Sequence, residues 1–169
     1  MPTNLQDIGK GIKDKKISRV VSCPIESMEI PGITAADAFD ALDCFGDLFV
    51  VKVPKSGEIR SATFWDLDDE GTEIDFIIFK HQIVDTGSDA AWAPSDADML
   101  KFVTQLDFVS FEDHINSKTS EITNIGKAYT APEGKFWIQA KCVGTPNIAA
   151  GHMPRFQLDI MPDDPDWVQ

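Results

Sequence analysis

Four residues in one short stretch have the spacing of a cation loop. Asp66, Asp68, Glu70 and Gly71 occupy positions 1, 3, 5 and 6 of a calcium loop of the EF-hand kind. Position 12 of such a loop grips the ion through both oxygens of a Glu; here it is Ile77, inside a strand-like run. Strand patterns rather than helical ones flank the stretch, which removes an EF-hand. What is left is a solvated hairpin turn, with a looser carboxylate site for calcium as the alternative.

Other chemistry-bearing residue types are scattered. His81, His114 and His152 include no pair at i, i+2 or i, i+4, so no local metal pair forms. His114 follows Glu112 and Asp113, a contact that reads as surface electrostatics. Cys23, Cys44 and Cys142 are an odd number at wide spacing, which argues against a disulfide framework and against a zinc ribbon. They read as reduced, buried thiols serving as small hydrophobes. No Gly-x-Ser-x-Gly elbow is present, and Gly9-Lys10-Gly11 is too short for a phosphate loop. With 28 Asp and Glu, no single carboxylate pair stands out for glycoside hydrolysis. The expectation is a protein that is not an enzyme and takes no cofactor. Four tryptophans remain. Trp65 and Trp137 lie within strands and read as core, whereas Trp92 and Trp167 lie in a loop and a tail and read as partner-surface residues.

The elements that would hold these residues are strands. Ile59–Trp65 and Thr72–Phe79 are rich in β-branched and aromatic residues, and Ile74, Phe76 and Ile78 alternate with Glu73 and Asp75. Such a pair needs more sheet to be stable. Further strands are predicted at Ile17–Cys23, closed by Pro24, and at Asp47–Val53, Leu100–Phe111, Ile122–Tyr129, Lys135–Val143 and Arg155–Met161. Apolar residues on both sides of Leu100–Phe111 suggest an inner strand. Thr34–Gly46 reads as a turn-rich extended segment in preference to a helix. Ser95 is an N-cap with Asp98 in the first turn, which predicts one short helical turn near 95–101. About eight strands with turn signals between them, and no βαβ alternation, predict an all-β antiparallel β-sandwich or jelly roll.

Length and charge set the outline. A chain of 169 residues that is 43% hydrophobic supports one domain with one core. The expected division is a flexible basic arm at 1–16, a β-sandwich at 17–162 and an acidic tail at 163–169. Residues 1–19 carry five Lys and Arg against two Asp, while the remainder carries ten basic against 26 acidic residues within a net charge of −13. An acidic body of this kind repels nucleic acid. No run approaches the ~20 apolar residues that span a bilayer, and 1–19 lacks the apolar core of a signal peptide. Synthesis and assembly in a cytosol is the expectation. The arm, with Lys10, Lys13, Lys15 and Lys16, is either a solvated terminus or an extension that orders on an acidic neighbour.

From about Thr34 onwards the chain resembles small virion structural proteins of tailed bacteriophages. Phe39–Gly46 is similar to their aromatic-x-x-Gly-Asp-x-x-Gly opening, with Leu42 where Gly is usual. Ser56–Ala62 is similar to their Gly-x-Ile-x-Ser entry to the central strands. Asp89-Ala90-Ala91-Trp92 and Ser95-Asp96-Ala97-Asp98 are similar to their Asp-Asn-Ala-Ala-aromatic loop and Ser-Asp-Ala-Asp turn. Asn124-Ile125-Gly126 and Gly144-Thr145-Pro146 complete the set in the same order. None of these motifs is catalytic. The resemblance implies a capsid decoration protein on the virion surface, made in the host bacterial cytoplasm. Its implied partners are the major capsid protein and further copies of itself, with neither nucleic acid nor membrane. The basic arm, with Trp92 and Trp167, would form the contacts. A tail, baseplate or head-fibre component is the alternative within that class, and a carbohydrate-binding adhesion sandwich the alternative outside it. Leu42 puts the local turn in question, because Leu disfavours positive φ.

Overall fold

A computed structural model describes residues 19–34, 37–149 and 151–169. The expected arm at 1–16 lies outside the described residues. Twelve strands and one helix are found among those described: β1 (Val21–Glu29), β2 (Asp37–Ala38), β3 (Phe49–Lys52), β4 (Ser56–Asp66), β5 (Ile74–Phe79), α1 (Asp96–Met99), β6 (Phe102–Phe108), β7 (Glu112–Asp113), β8 (Lys118–Ile122), β9 (Lys127–Thr130), β10 (Lys135–Cys142), β11 (Asn147–Ile148) and β12 (Arg155–Pro162). The strands form two antiparallel sheets packed face to face, the β-sandwich that the alternation predicts. The first sheet runs β1-β12-β4-β8-β7, with β9 also on β4; the second runs β3-β10-β5-β6; β2 and β11 pair separately.

Phenyl rings fill the space between the sheets. Phe64 and Phe156 from the first sheet meet Phe49, Phe76 and Phe108 from the second, and Phe76 stacks on Phe156 at 4.5 Å between centroids. The rings combine large apolar burial with favourable edge and offset geometry. A second, smaller cluster of Ile77, Phe79, Ile83 and Trp137 covers the far side of the second sheet, with Leu48 and Trp92 packed on it.

The alternation pattern identifies faces but not neighbours. β4 and β5 are not a hairpin: they belong to different sheets, and the acidic stretch between them is a crossing from one layer to the other. β5 is buried along its whole length, Asp75 included, because it is central in its sheet and covered on both sides. Lys141 on β10 offsets the buried Asp75 carboxylate at 2.9 Å. β6 is an edge strand rather than an inner one; it pairs with β5 alone and exposes Gln105 and Asp107 while burying Leu106 and Phe108. Pro24 does not close β1. The strand runs past a cis Cys23–Pro24 bond because it is an edge strand with a register shift there, where a missing ladder donor is tolerated. The Ile122–Tyr129 run divides into β8 and β9, both on β4, at Asn124 and Gly126, whose φ values are 57° and 64°. Ser95 does cap α1, its hydroxyl accepting from the Asp98 amide at 3.1 Å.

The tail is not uniformly exposed. Asp163, Asp164 and Asp166 face solvent, but Trp167 packs against the main core. Gln169 accepts from the Ile25 amide at 2.7 Å and donates to the Lys52 carbonyl at 3.2 Å. Its side chain thus ties β1 of one sheet to β3 of the other.

Candidate functional site

The acidic stretch is built as a backbone device. Asp66, at the end of β4, is buried and accepts from the amides of Asp68 at 3.0 Å and Gly71 at 2.6 Å. Asp68 accepts from the Ala149 amide at 2.8 Å and contacts His152 Nδ1 at 2.9 Å. Lys118 donates to the Asp69 carbonyl. Two of the three carboxylates of the alternative cation site, Asp66 and Asp68, are therefore committed to groups of the protein itself, which supply the sharp bend between sheets, while Glu70 is exposed. No group of three or more His, Cys, Asp or Glu is arranged to hold a metal among the described residues.

The histidines sit apart: His81 contacts Glu133 at 3.1 Å, His114 contacts Thr119 at 2.8 Å, and His152 joins the acidic bend. Cys23, Cys44 and Cys142 are free and buried. Burial pushes the Cys23 and Cys142 thiols up to about 12 and Cys44 to about 11, so their thiolates are suppressed at neutral pH.

Of the expected partner residues, Lys10, Lys13, Lys15 and Lys16 lie outside the described residues. Trp92 and Trp167 are both half-buried, on opposite cores, and are not brought together. The loop carrying Trp92 instead clips onto the Leu42 segment. The Cys44 amide donates to the Ala90 carbonyl at 2.8 Å, the Asp89 amide to Cys44 at 3.0 Å, and the Trp92 amide to Leu42 at 2.9 Å. Leu42 itself has φ of 75° and donates its own amide to Cys142 at 2.9 Å.

Two surface features escaped the sequence reading. The first is Trp65. It belongs to neither core cluster and lies on the outer face of the first sheet, beside a groove of about 430 Å³ lined by Thr63, Ser110, Phe111, Glu112, Thr119 and Glu121. Its signal was present: with Ala62 and Phe64 turned to the core, period-two alternation sends Thr63 and Trp65 outward. The second is an apolar patch at the α1 end of the second sheet. Val84, Met99, Leu100 and Phe102 are exposed there, Leu100 by 84%. The segment is held in place by Lys101 Nζ, which donates to the Gln82 carbonyl at 2.7 Å and to Asp98 at 2.8 Å.

No protein-family model matches this chain, and no curated protein matches it either.

Proposed function

We propose that this protein is a non-enzymatic virion component that decorates and reinforces a bacteriophage capsid. The observation that carries this reading is Leu42. The motif resemblance places a glycine at that position, and the backbone there has φ of 75°, the left-handed conformation in which glycine is at ease. The turn geometry that the motif needs is kept although its residue has changed. The companion motifs fall at comparable backbone constraints. Asp89 and Asn124 have positive φ, Gly46 has φ of 82°, and a Cβ on Gly57 would meet the Met161 carbonyl at 2.6 Å. These motifs thus specify a sandwich and its clips rather than a reaction, as expected of a building block.

The Val84, Met99, Leu100 and Phe102 patch supplies a contact face, since clustered exposed apolar side chains mark association surfaces. The major capsid protein and further copies of this chain are the partners proposed for it. The test is cosedimentation with purified capsids that lack the protein, with light-scattering mass measured alongside. Saturable binding is expected, reduced at least tenfold by Leu100→Asp. A chain starting at Ile17 decides whether the basic arm takes part: weaker binding assigns it a role, and unchanged binding removes it from the contact. Folded full-length protein that binds no capsid overturns decoration and moves the proposal to the tail, baseplate or a head fibre.

A further inference from the structure

The outer face of the first sheet carries a second surface with its own chemistry. Antiparallel register sets two rows of side chains across it. One row is Arg155, Trp65, Thr119 and Glu112; the other is Gln157, Thr63 and Glu121. Neighbours within a row are about 5 Å apart and the rows about 7 Å apart. On the β12 side the polar groups are already engaged. Arg155 donates to Ser27 and to Glu29 at 2.9 Å, and Gln157 donates to the carbonyls of Pro24 and Ile25. On the β8 side the Thr119 hydroxyl meets His114 Nε2 at 2.8 Å, but the other polar groups of the groove are open. Thr63, Ser110, Glu112 and Glu121 have no side-chain hydrogen bond or ion pair among the described residues. Phe111 forms a firm wall, its ring edge-on to the core Phe64 ring at 6.2 Å.

We infer that this groove binds a neutral glycan, with Trp65 as the stacking platform. A sugar ring has an apolar C–H face that an indole can cover and a rim of hydroxyls that both donate and accept. The groove matches both halves. Trp65 and Phe111 offer apolar area, the Thr63 and Ser110 hydroxyls offer both donor and acceptor, and the two carboxylates accept from vicinal hydroxyls. A volume of about 430 Å³ lies within the usual range for small-ligand sites, about 300–1,000 Å³. The charge narrows the class. The charged groups lining the groove are Glu112 and Glu121, on a body that is itself acidic, so sulfated, sialylated or phosphorylated chains are repelled. This inference goes beyond capsid decoration and does not depend on it.

The test is a printed array of neutral and anionic glycans probed with the full-length protein, followed by titration calorimetry on the best neutral oligosaccharide. Binding confined to neutral glycans is expected. Trp65→Ala should weaken it at least tenfold, Trp65→Phe by less, and Glu121→Gln severalfold. Glu133→Gln, on a loop away from the groove, should leave it unchanged. Near-ultraviolet circular dichroism checks that each variant is folded. Silence across the neutral glycans overturns the inference, as does full binding by a folded Trp65→Ala variant. Preferential binding of a synthetic peptide of residues 1–19 overturns it too, and would make the groove a dock for the basic arm. Capsid cosedimentation of Trp65→Ala separates the two proposals, because the glycan reading expects it to be normal.

Discussion

Replacing Leu42 by Ala and by Gly should invert the usual order of stability between these two residues. Leu42 has φ of 75°, and its amide and carbonyl are both fixed, to Cys142 and Trp92, at 2.9 Å each. The backbone therefore cannot relax when the side chain changes. Any Cβ in the left-handed region costs about 1–2 kcal/mol, while glycine forfeits about 0.4–1 kcal/mol through the greater freedom of its unfolded chain. Both variants lose the same small contact made by the mostly exposed leucine side chain, so that loss nearly cancels between them. The difference leaves the Leu42→Gly variant ahead of Leu42→Ala by about 0.8 kcal/mol, or roughly 2–3 °C in Tm for a chain of this size. At an ordinary strand or helix position Ala leads Gly by about 0.5–1 kcal/mol. Urea unfolding followed by tryptophan fluorescence, with matched m values, measures the difference directly. A Leu42→Ala variant as stable as Leu42→Gly, or more so, would refute the left-handed turn, and with it the geometric support for the motif resemblance.

The core and the bends give three further expected outcomes. Phe76→Ala should cost about 3–5 kcal/mol in urea unfolding, since the ring is fully buried and stacks on Phe156 between the sheets; a loss under about 1 kcal/mol would mean that the sheets are not packed through it. Asp66→Ala should cost about 2–3 kcal/mol by stranding the Asp68 and Gly71 amides in a buried bend, and Asp66→Asn, which keeps one accepting oxygen, should cost less. The Lys101 and Ser95 side chains bonded to Asp98 hold its carboxyl below the ordinary 3.8. A lowered folded value contributes stability that is present above the unfolded pKa and lost as pH falls through the folded one. Asp98→Asn should therefore flatten the acid limb of a urea-midpoint profile taken from about pH 5 down to about pH 2, while an unchanged limb would show that these contacts do not form.

The sequence determined the class of fold and the inward faces of most strands. Alternation at Phe156, Leu158 and Ile160, and at Leu106 and Phe108, is a property of the extended chain, because side chains two residues apart must share a face. The Ser95 cap and the bend at Asp66 are equally local, resting on side chains that reach amides within five residues. What the chain could not specify locally was partnership. The acidic bend reads as a hairpin turn in sequence, yet it carries the chain from one sheet to the other, since a turn's composition is the same whether the returning strand pairs beside its predecessor or across from it. Asp75 sits on the face of β5 that alternation assigns to solvent, but a second layer closes over that face and Lys141 arrives from 66 positions along the chain. The tryptophans show the same division. Location within a strand or a loop suggests which are buried. The second sheet's outer cluster took Trp137 and half of Trp92, the main core took half of Trp167, and the uncovered face of the first sheet left Trp65 beside an open groove. Burial of a face depends on what the rest of the chain lays over it, and only the assembled tertiary structure decides that.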